Sequence, residues 1–580
     1  MTTSIDTISH RLSAASEKIL LNLAYRHGTD VWPTCGFISL PPTAYPFKFT
    51  FSMTPYSSTA ATDLTKLNEG EPSRRSQHSR FVRFILSMYY QLSKTRPIRN
   101  STHSPLIHIL DDDSLLYIFY LSRLAMLSDI EVDDNYSLSG LEWDREWWWY
   151  KIVQVCRRWR FLVLESASHL QVSLVCARGT PVAEMLAHYP SLPLIIDFFD
   201  HKYHDFTAKD EEGIKLALKH RDRVRCIRLM KPISVLQKII IALDGEFPIL
   251  EYLKVQQQRF HRPLLKNIPN LNLPNAFRAP HLRQLFLKNF STPIDSLPLL
   301  TMENLNTLLL NTIPSSAYFH PNALLQRLPL LPQLEILWIG FSFDNSSRDA
   351  ERKLLRTPIM TWVTLPNLRW LGFRGSNAYL EALLPGITTP LLKKFQVYFL
   401  NRTIYSIPNL QEFMSTARNL HFNTTTFIFS ADCLIVKAYP HKGDKLYNFT
   451  MELGGRHLDS QVVSAAQVFH ALRTLCLAVE HLVFEYDSPN VSSEWNREAD
   501  CTRWREFLGL FGNAKTLSVD GELVGQLSSA LQPGEGESSA ELLSELQELS
   551  YSATASSLTV FTPFIDARQK AGRPVTVVHP

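Results

Sequence analysis

The chain has no paired cysteines, no long apolar run and no strong charge of either sign, and each absence removes a class of protein. Its seven cysteines (Cys35, Cys156, Cys176, Cys226, Cys433, Cys476 and Cys501) are scattered, odd in number and never spaced C-x-x-C. That usage argues for reduced, mostly buried thiols and against a disulfide framework or a zinc site. No stretch approaches the roughly 20 apolar residues that a bilayer-spanning helix needs, and no apolar core follows a basic N-terminal stretch as a secretory signal requires. A cytoplasmic or nuclear protein without membrane contact is expected, and the sequons at Asn401, Asn423, Asn448 and Asn490 read as chance. A net charge of +4 over 580 residues is spread too thinly for a nucleic-acid partner. Catalytic signatures are missing too: there is no G-x-S-x-G, H-E-x-x-H, Walker A or G-x-G-x-x-G. The sequence points to no catalytic residue, no metal and no cofactor.

What remains is a chain with 45% hydrophobic and 20% charged residues, enough to bury a sizeable core. Residues 1–103 are the exception: Ser, Thr and Pro recur, and apolar periodicity is patchy. They read as a poorly ordered arm with one short amphipathic helix over Phe81–Leu92. At 104–170 two helical signals flank an acidic, irregular insertion at 122–148. The first begins with Asp111, Asp112 and Asp113, carboxylates suited to capping a helix N-terminus rather than to metal or acid–base work. Leu115, Leu116, Ile118 and Phe119 follow. The second sets Ile152, Val155, Cys156, Trp159, Leu162 and Val163 on one face of a single helix. Of Trp147, Trp148 and Trp149, at least one is expected in the core. Arg157, Arg158 and Arg160 suit either an acidic partner or a solvated helix face.

Beyond residue 220 the phrase L-x-x-L-x-L-x returns. It reads Val224-Ile227-Leu229, Leu250-Leu253-Val255, Leu282-Leu285-Leu287, Leu305-Leu308-Leu310, Leu334-Leu337-Ile339, Leu368-Leu371-Phe373 and Leu392-Phe395-Val397. Weaker copies are Val479-Leu482-Phe484 and Ala514-Leu517-Val519. The fourth and sixth positions lie two apart, so on a strand both point inward and stacking closes a common core. Prolines 248, 280, 332, 366 and 390 share one offset before the strand, where no ladder donor is required. The asparagine that usually follows such strands is largely absent. Glu541 to Leu549 reads as a helix, and Phe564 to Val578 as helix, glycine stop and short strand.

On horseshoe strands, positions 3, 5 and 7 face the concave surface. These are Arg228, then Tyr252 and Lys254, Phe286 and Lys288, Trp338, Trp370 and Arg374, and Lys394 and Tyr398. Five are basic, none is acidic, and the last two phrases contribute Glu485 and Asp520 instead. Such a face is expected to bind a protein target, with an acidic or phosphorylated segment as its ligand.

The run Leu110-Asp-Asp-Asp-Ser-Leu115-Leu116-Tyr-Ile118-Phe119 resembles the opening of an F-box, L-P-x-[DE]-x-L-L-x-I-F. Trp149-Tyr-Lys-Ile152-Val-Gln-Val155-Cys156-Arg-Arg-Trp159 resembles its close, W-x-x-[LI]-x-x-V-C-[RK]-x-W. With the repeats, and with Thr180-Pro-Val-Ala-Glu-Met-Leu and the Phe564 to Val578 ending, residues 104–580 resemble F-box proteins with divergent leucine-rich-repeat-like domains, a large family in mushroom-forming fungi. Asp111 and Ser114 depart from the family pattern. The resemblance implies an α/β chain: a small all-helical F-box, then an irregular leucine-rich-repeat horseshoe over 171–580, with a linker at its start and a capping repeat at its end. It implies a non-catalytic substrate receptor of a ubiquitin ligase, held to a Skp-type adaptor and through it a cullin scaffold. Adaptor contact would fall to Leu110, Leu115, Leu116, Ile118, Phe119, Val155, Cys156 and Trp159. A second reading is a repeat-based scaffold with a degenerate F-box and no ligase role.

Overall fold

The computed structural model describes residues 110–128, 148–199, 206–258, 271, 273–290, 294–314, 317–342, 359–399, 406–444, 446–487, 500–532, 542–552 and 560–578. The chain divides into two compact units, Met1–Ser173 and Leu174–Pro580. The arm expected over 1–103, with its helix at Phe81–Leu92, lies outside the described residues, as does 129–147 of the expected insertion.

Three helices make up the described part of the first unit: α1 (Asp112–Ser128), α2 (Trp148–Ile152) and α3 (Arg157–Glu165). Asp111 caps α1, its carboxylate accepting from the Ser114 amide at 2.7 Å and from the Ser114 hydroxyl at 3.1 Å. The two residues that depart from the F-box pattern therefore form one capping pair. Those bonds hold the Asp111 carboxyl below its ordinary range. Leu115, Phe119, Trp149 and Val163 are buried. Phe119 meets Trp159 edge-on at 5.0 Å, and the Trp149 indole donates to the Ser173 carbonyl at 3.1 Å. Trp148 is buried as well, so the tryptophan run supplies core.

Two expectations need correction here. α1 continues to Ser128, so the break begins later than residue 122. And Ile152 to Val163 is not one helix: α2 ends at Ile152, and Cys156, with extended backbone, opens α3. Three β-branched residues within Ile152-Val153-Gln154-Val155 weaken helix there. The Arg160 side chain donates to the Val153 carbonyl at 3.1 Å and satisfies the broken turn. Arg158 is committed within the unit as well, donating to the Leu110 carbonyl and the Asp112 carboxylate, both at 2.6 Å.

The second unit is a strand–turn–helix array. Its strands are β1 (Leu174–Ala177), β2 (Leu194–Phe198), β3 (Val224–Lys231), β4 (Tyr252–Gln257), β5 (Gln284–Lys288), β6 (Thr307–Ile313), β7 (Ile336–Phe341), β8 (Val363–Thr364), β9 (Trp370–Gly375), β10 (Ile387–Thr388) and β11 (Lys394–Phe399). They continue as β12 (Thr424–Ser430), β13 (Cys433–Tyr439), β14 (Phe449–Gly454), β15 (His481–Asp487), β16 (Thr516–Val519), β17 (Glu548–Tyr551) and β18 (Thr576–Val578). Between them run α4 (Val182–His188), α5 (Ala208–Leu218), α6 (Ile233–Ile241), α7 (Pro321–Arg327), α8 (Asn377–Leu383), α9 (Pro408–Thr416), α10 (Leu458–Ala471), α11 (Arg473–Cys476), α12 (Cys501–Leu508), α13 (Val524–Leu531) and α14 (Thr562–Lys570). Among the described residues sixteen strands form one sheet, and β8 pairs with β10 apart from it. The repeat rule sets the register: Ile227, Leu253, Leu285, Leu308, Leu337, Leu371 and Phe395 stand side by side. All seven are buried, with their sixth-position partners. Phe373 stacks on Tyr379 of α8, and Phe395 meets Phe413 of α9.

Before the strands an asparagine donates its side-chain amide to a carbonyl in the turn of an adjacent repeat. Asn304 reaches Pro280, Asn367 reaches Pro332, Asn419 reaches Pro390 and Asn513 reaches Leu477. The asparagine sought after the strand thus stands before it, a lateral tie between turns that the phrase did not foretell.

The array departs from expectation in three places. The segment after 171 is no linker, because β1 and β2 pair in parallel and β2 joins β3. Between β11 and β15 the strand order is β11-β14-β13-β12-β15, with β13 antiparallel to both of its neighbours. Residues 542–547 are a turn and its exit, leading into β17 at Glu548, not a helix: Leu543 sits at φ 52°, which breaks helical hydrogen bonding. Leu546-x-x-Leu549-x-Tyr551 is a repeat phrase instead. The ending behaves as read, with Gly572 at φ 74° closing α14 before β18.

Candidate interaction face

With positions 4 and 6 buried on one face of the sheet, positions 3, 5 and 7 fall on the opposite face. The register aligns them in rows. Row five runs Asp197, Arg228, Lys254, Phe286, Leu309, Trp338, Gly372 and Gln396, one residue per main-sheet strand from β2 to β11, β8 and β10 lying outside that sheet. All ten residues expected on the concave surface do share this face, but their exposure differs widely.

Arg228, Lys254 and Trp338 are buried, at 6%, 8% and 3% exposure. Arg228 pairs with Asp197 at 3.0 Å, a carboxylate supplied by the unforeseen β2. The Lys254 ammonium lies 4.1 Å from the Phe199 ring centroid and 5.8 Å from that of Phe286, a desolvated cation–π seat. Trp338 covers Gly372 on the next strand, where a Cβ would stand 1.8 Å from its ring, and meets Tyr398 edge-on at 5.5 Å. These three shape the face from within and are not contact residues, which corrects that expectation.

Tyr252, Phe286, Trp370, Lys394 and Tyr398 are half-buried, while Lys288 and Arg374 are exposed. Tyr252 stacks on Phe286 at 5.3 Å. The Lys394 ammonium lies 4.8 Å from the Trp370 ring and 4.5 Å from the Tyr447 ring. Gln396 accepts from the Trp370 indole at 3.0 Å and donates to the Tyr447 hydroxyl at 3.2 Å.

The face is not free of acids, as the phrase count implied. Asp197 neutralises Arg228, and β14 adds Glu452 to row seven, the row of Lys288 and Arg374. Burial holds the Glu452 carboxyl above its ordinary range, with Arg374 opposing it; Lys288, exposed over most of its surface, is held below its own by partial loss of water around its ammonium group, helped by the Arg374 charge. Glu485 on β15, though exposed over much of its surface, is raised by partial loss of water around its carboxyl and by Asp520 and Asp487, against Lys437. Asp520 serves the backbone, accepting from the Gly521 amide at 2.7 Å and the Tyr486 amide at 3.3 Å. Sequence signals for the missed residues exist. Asp197 is a lone acid in an apolar strand, and Phe449-x-Met451-x-Leu453 alternates as a strand should.

In the first unit the expected docking residues also separate. Leu115 and Phe119 are core, each 1% exposed, because they hold α1 against α3. Leu116, Ile118, Val155, Cys156 and Trp159 are half-buried. Leu110 is exposed, with Tyr117 at 58% and Phe161 at 63%, two residues the motif did not single out.

The six described cysteines are free, but only Cys176 and Cys476 are buried, fewer than expected, and burial pushes both thiols up to about 12. Among the described residues no three His, Cys, Asp or Glu side chains gather as a metal site, and no helix is long and apolar enough to cross a membrane.

Neither a protein-family model nor a curated protein matches the chain. Among solved structures, the leucine-rich repeat-containing protein LegL7 from Legionella pneumophila aligns with 70% of this chain and 99% of its own length, at 12% identity and a TM-score of 0.23. That likeness is loose, and the class follows from this chain's own register: a mixed α/β, leucine-rich-repeat-like array on one large, mainly parallel sheet. Its helix-free rows carry cations, aromatics and acids in fixed order.

Proposed function

We propose that the chain is a non-catalytic substrate receptor of a Skp–cullin–F-box ubiquitin ligase. The helical unit docks the adaptor, the sheet face holds a protein target, and a separate enzyme performs the transfer by proximity. One observation carries this reading: a small capped helical unit leaves Leu110, Tyr117 and Phe161 in water, ahead of a repeat sheet with ordered charges. Solvent-facing large apolar side chains on a helical unit favour a docking role when they act together. The Asp111–Ser114 pair supports the same view, since these departures still start the helix where the motif requires it.

The test is a pull-down of the Skp-type adaptor with the full chain, beside variants carrying Tyr117→Ala or Phe161→Ala. Leu115 is unsuitable, since truncating it opens the core. Capture by the parent chain that is lost in the variants supports the ligase role. No capture by the parent chain sinks it and leaves the repeat-based scaffold.

A further inference from the structure

Row seven of the sheet face sorts its charges by position. Lys288 on β5 pairs with Asn311 of β6, and Arg374 on β9 pairs with Gly340 of β7; between β6 and β7 the register shifts after Leu310, so the row is continued there by strand parity. Tyr398 follows on β11, then Glu452 on β14, Ile435 on β13, Ile428 on β12 and Glu485 on β15. Asp487 extends the acidic end two residues further along β15. Among the described residues, none of Lys288, Arg374, Glu452, Glu485 or Asp487 enters an ion pair within 4.0 Å. This contrasts with Arg228, which is matched by Asp197 at 3.0 Å. The fold therefore neutralises its deep charge and leaves these in two blocks of opposite sign. Two other cations, Lys394 and Lys437, lie on rows three and five and lean over the Tyr447 ring, outside this row.

Resting on the reading of this face as a target-binding surface, we propose that its ligand is an extended peptide with an acidic block beside a basic block. The acidic block lies over Lys288 and Arg374, and the basic block over Glu452, Glu485 and Asp487. The dimensions fit. From β5 to β15 the sheet order crosses eight strand spacings, which at about 4.8 Å each is about 38 Å, or about 12 residues of extended chain. From β9 to β14 there are two spacings, so the change of sign spans about three residues. Tyr398 stands at that junction on β11, beside Trp338, an aromatic seat for an uncharged residue. Glu452 is half-buried and the other four are exposed, and charges left unmatched on a face gain from a partner that brings the opposite charge to each.

Fluorescence anisotropy with the full chain and labelled peptides of about 12 residues tests this. Four peptides are compared: Asp/Glu block joined to Lys/Arg block, the same composition strictly alternating, all acidic, and all basic. The block peptide is expected to bind about tenfold tighter than each of the others, with the advantage shrinking as salt rises. In the Lys288→Glu/Arg374→Glu variant the preference should pass to the all-basic peptide, while its melting temperature stays near that of the parent. Alternating and block peptides binding alike would overturn the inference, as would failure of all four. If the all-acidic peptide binds best, the inference also falls, although the ligase reading survives. If the block preference holds while adaptor capture fails, the ligase reading falls alone.

Discussion

Replacing Gly372 by alanine should destabilise the repeat unit through a single side chain. An added Cβ would stand 1.8 Å from Cε3 of Trp338 and 2.3 Å from Cζ3, far inside the 3.0 Å that Cβ contacts respect. The indole has little room to retreat. It is 3% exposed, rests edge-on against Tyr398 at 5.5 Å, and its Nε1 lies 3.1 Å from where a Gly340 Cβ would sit. Overpacking of this kind costs about 1–3 kcal/mol. The clash also exceeds what a few tenths of an ångström of give can relieve, so the upper half of that range is expected. Urea denaturation followed by tryptophan fluorescence reads the cost as a lowered midpoint at unchanged slope. The decisive arm is a double-mutant cycle with Trp338→Ala, which removes the obstacle: there Gly372→Ala should cost almost nothing, giving a coupling of about 1–3 kcal/mol. A Gly372→Ala chain within about 0.5 kcal/mol of the parent, or an equal cost in both backgrounds, would refute the packing argument.

Three further outcomes follow from the geometry. Arg228→Ala strands Asp197 at 2% side-chain exposure, so a loss of about 3–5 kcal/mol is expected by denaturation; Arg228→Met with Asp197→Leu should recover much of it, and an equal loss in both would show that the pair is not the cause. Asp111→Ala removes the cap of α1 and should fray its first turn, read as faster hydrogen exchange at the Ser114 and Leu115 amides; unchanged exchange would contradict the capping role. For Glu452, burial raises the folded-state pKa above the ordinary 4.5. Its favourable contribution is therefore complete below that value and fades as pH rises through the raised one. Glu452→Gln should match the parent near pH 4 and melt higher at neutral pH, and a variant that melts lower at neutral pH would reverse the sign assigned here.

Much of the array was legible because its rule is local and repeated. Positions 4 and 6 of each phrase are apolar for one reason, burial on one face, and the register from Ile227 to Phe395 follows from that alone. The rest hid where two patterns share a period. Leu543, Leu546 and Leu549 suit a helix and a repeat phrase equally, and only the left-handed backbone at Leu543 decides between them. β2 is buried on all five residues, so it lacks the alternation that marks a strand. On the face, strand parity put all ten residues on one side of the sheet but said nothing of depth. Lys254 and Lys394 look alike in sequence, yet Phe199 from beyond β2 helps bury one and Tyr447 screens the other. Cover of that kind comes from elements outside the repeat phrase.

The reordered strands at the middle of the sheet bear on how the chain is made. From β2 to β11 each new main-sheet strand finds its predecessor already in place, so the array can assemble as it leaves the ribosome, one repeat at a time. β12 breaks that sequence, because its neighbours are β13 and β15, both still to be synthesised. The edge of β11 must wait for β14, and only once the hairpin has folded back can β15 continue. A nascent chain halted before Phe449 therefore presents an unpaired strand edge to the cell, the form in which it is most open to aggregation or chaperone capture. A regular array exposes its last edge only until the next strand arrives; here the edge of β11 waits until β12 and β13 have been made as well.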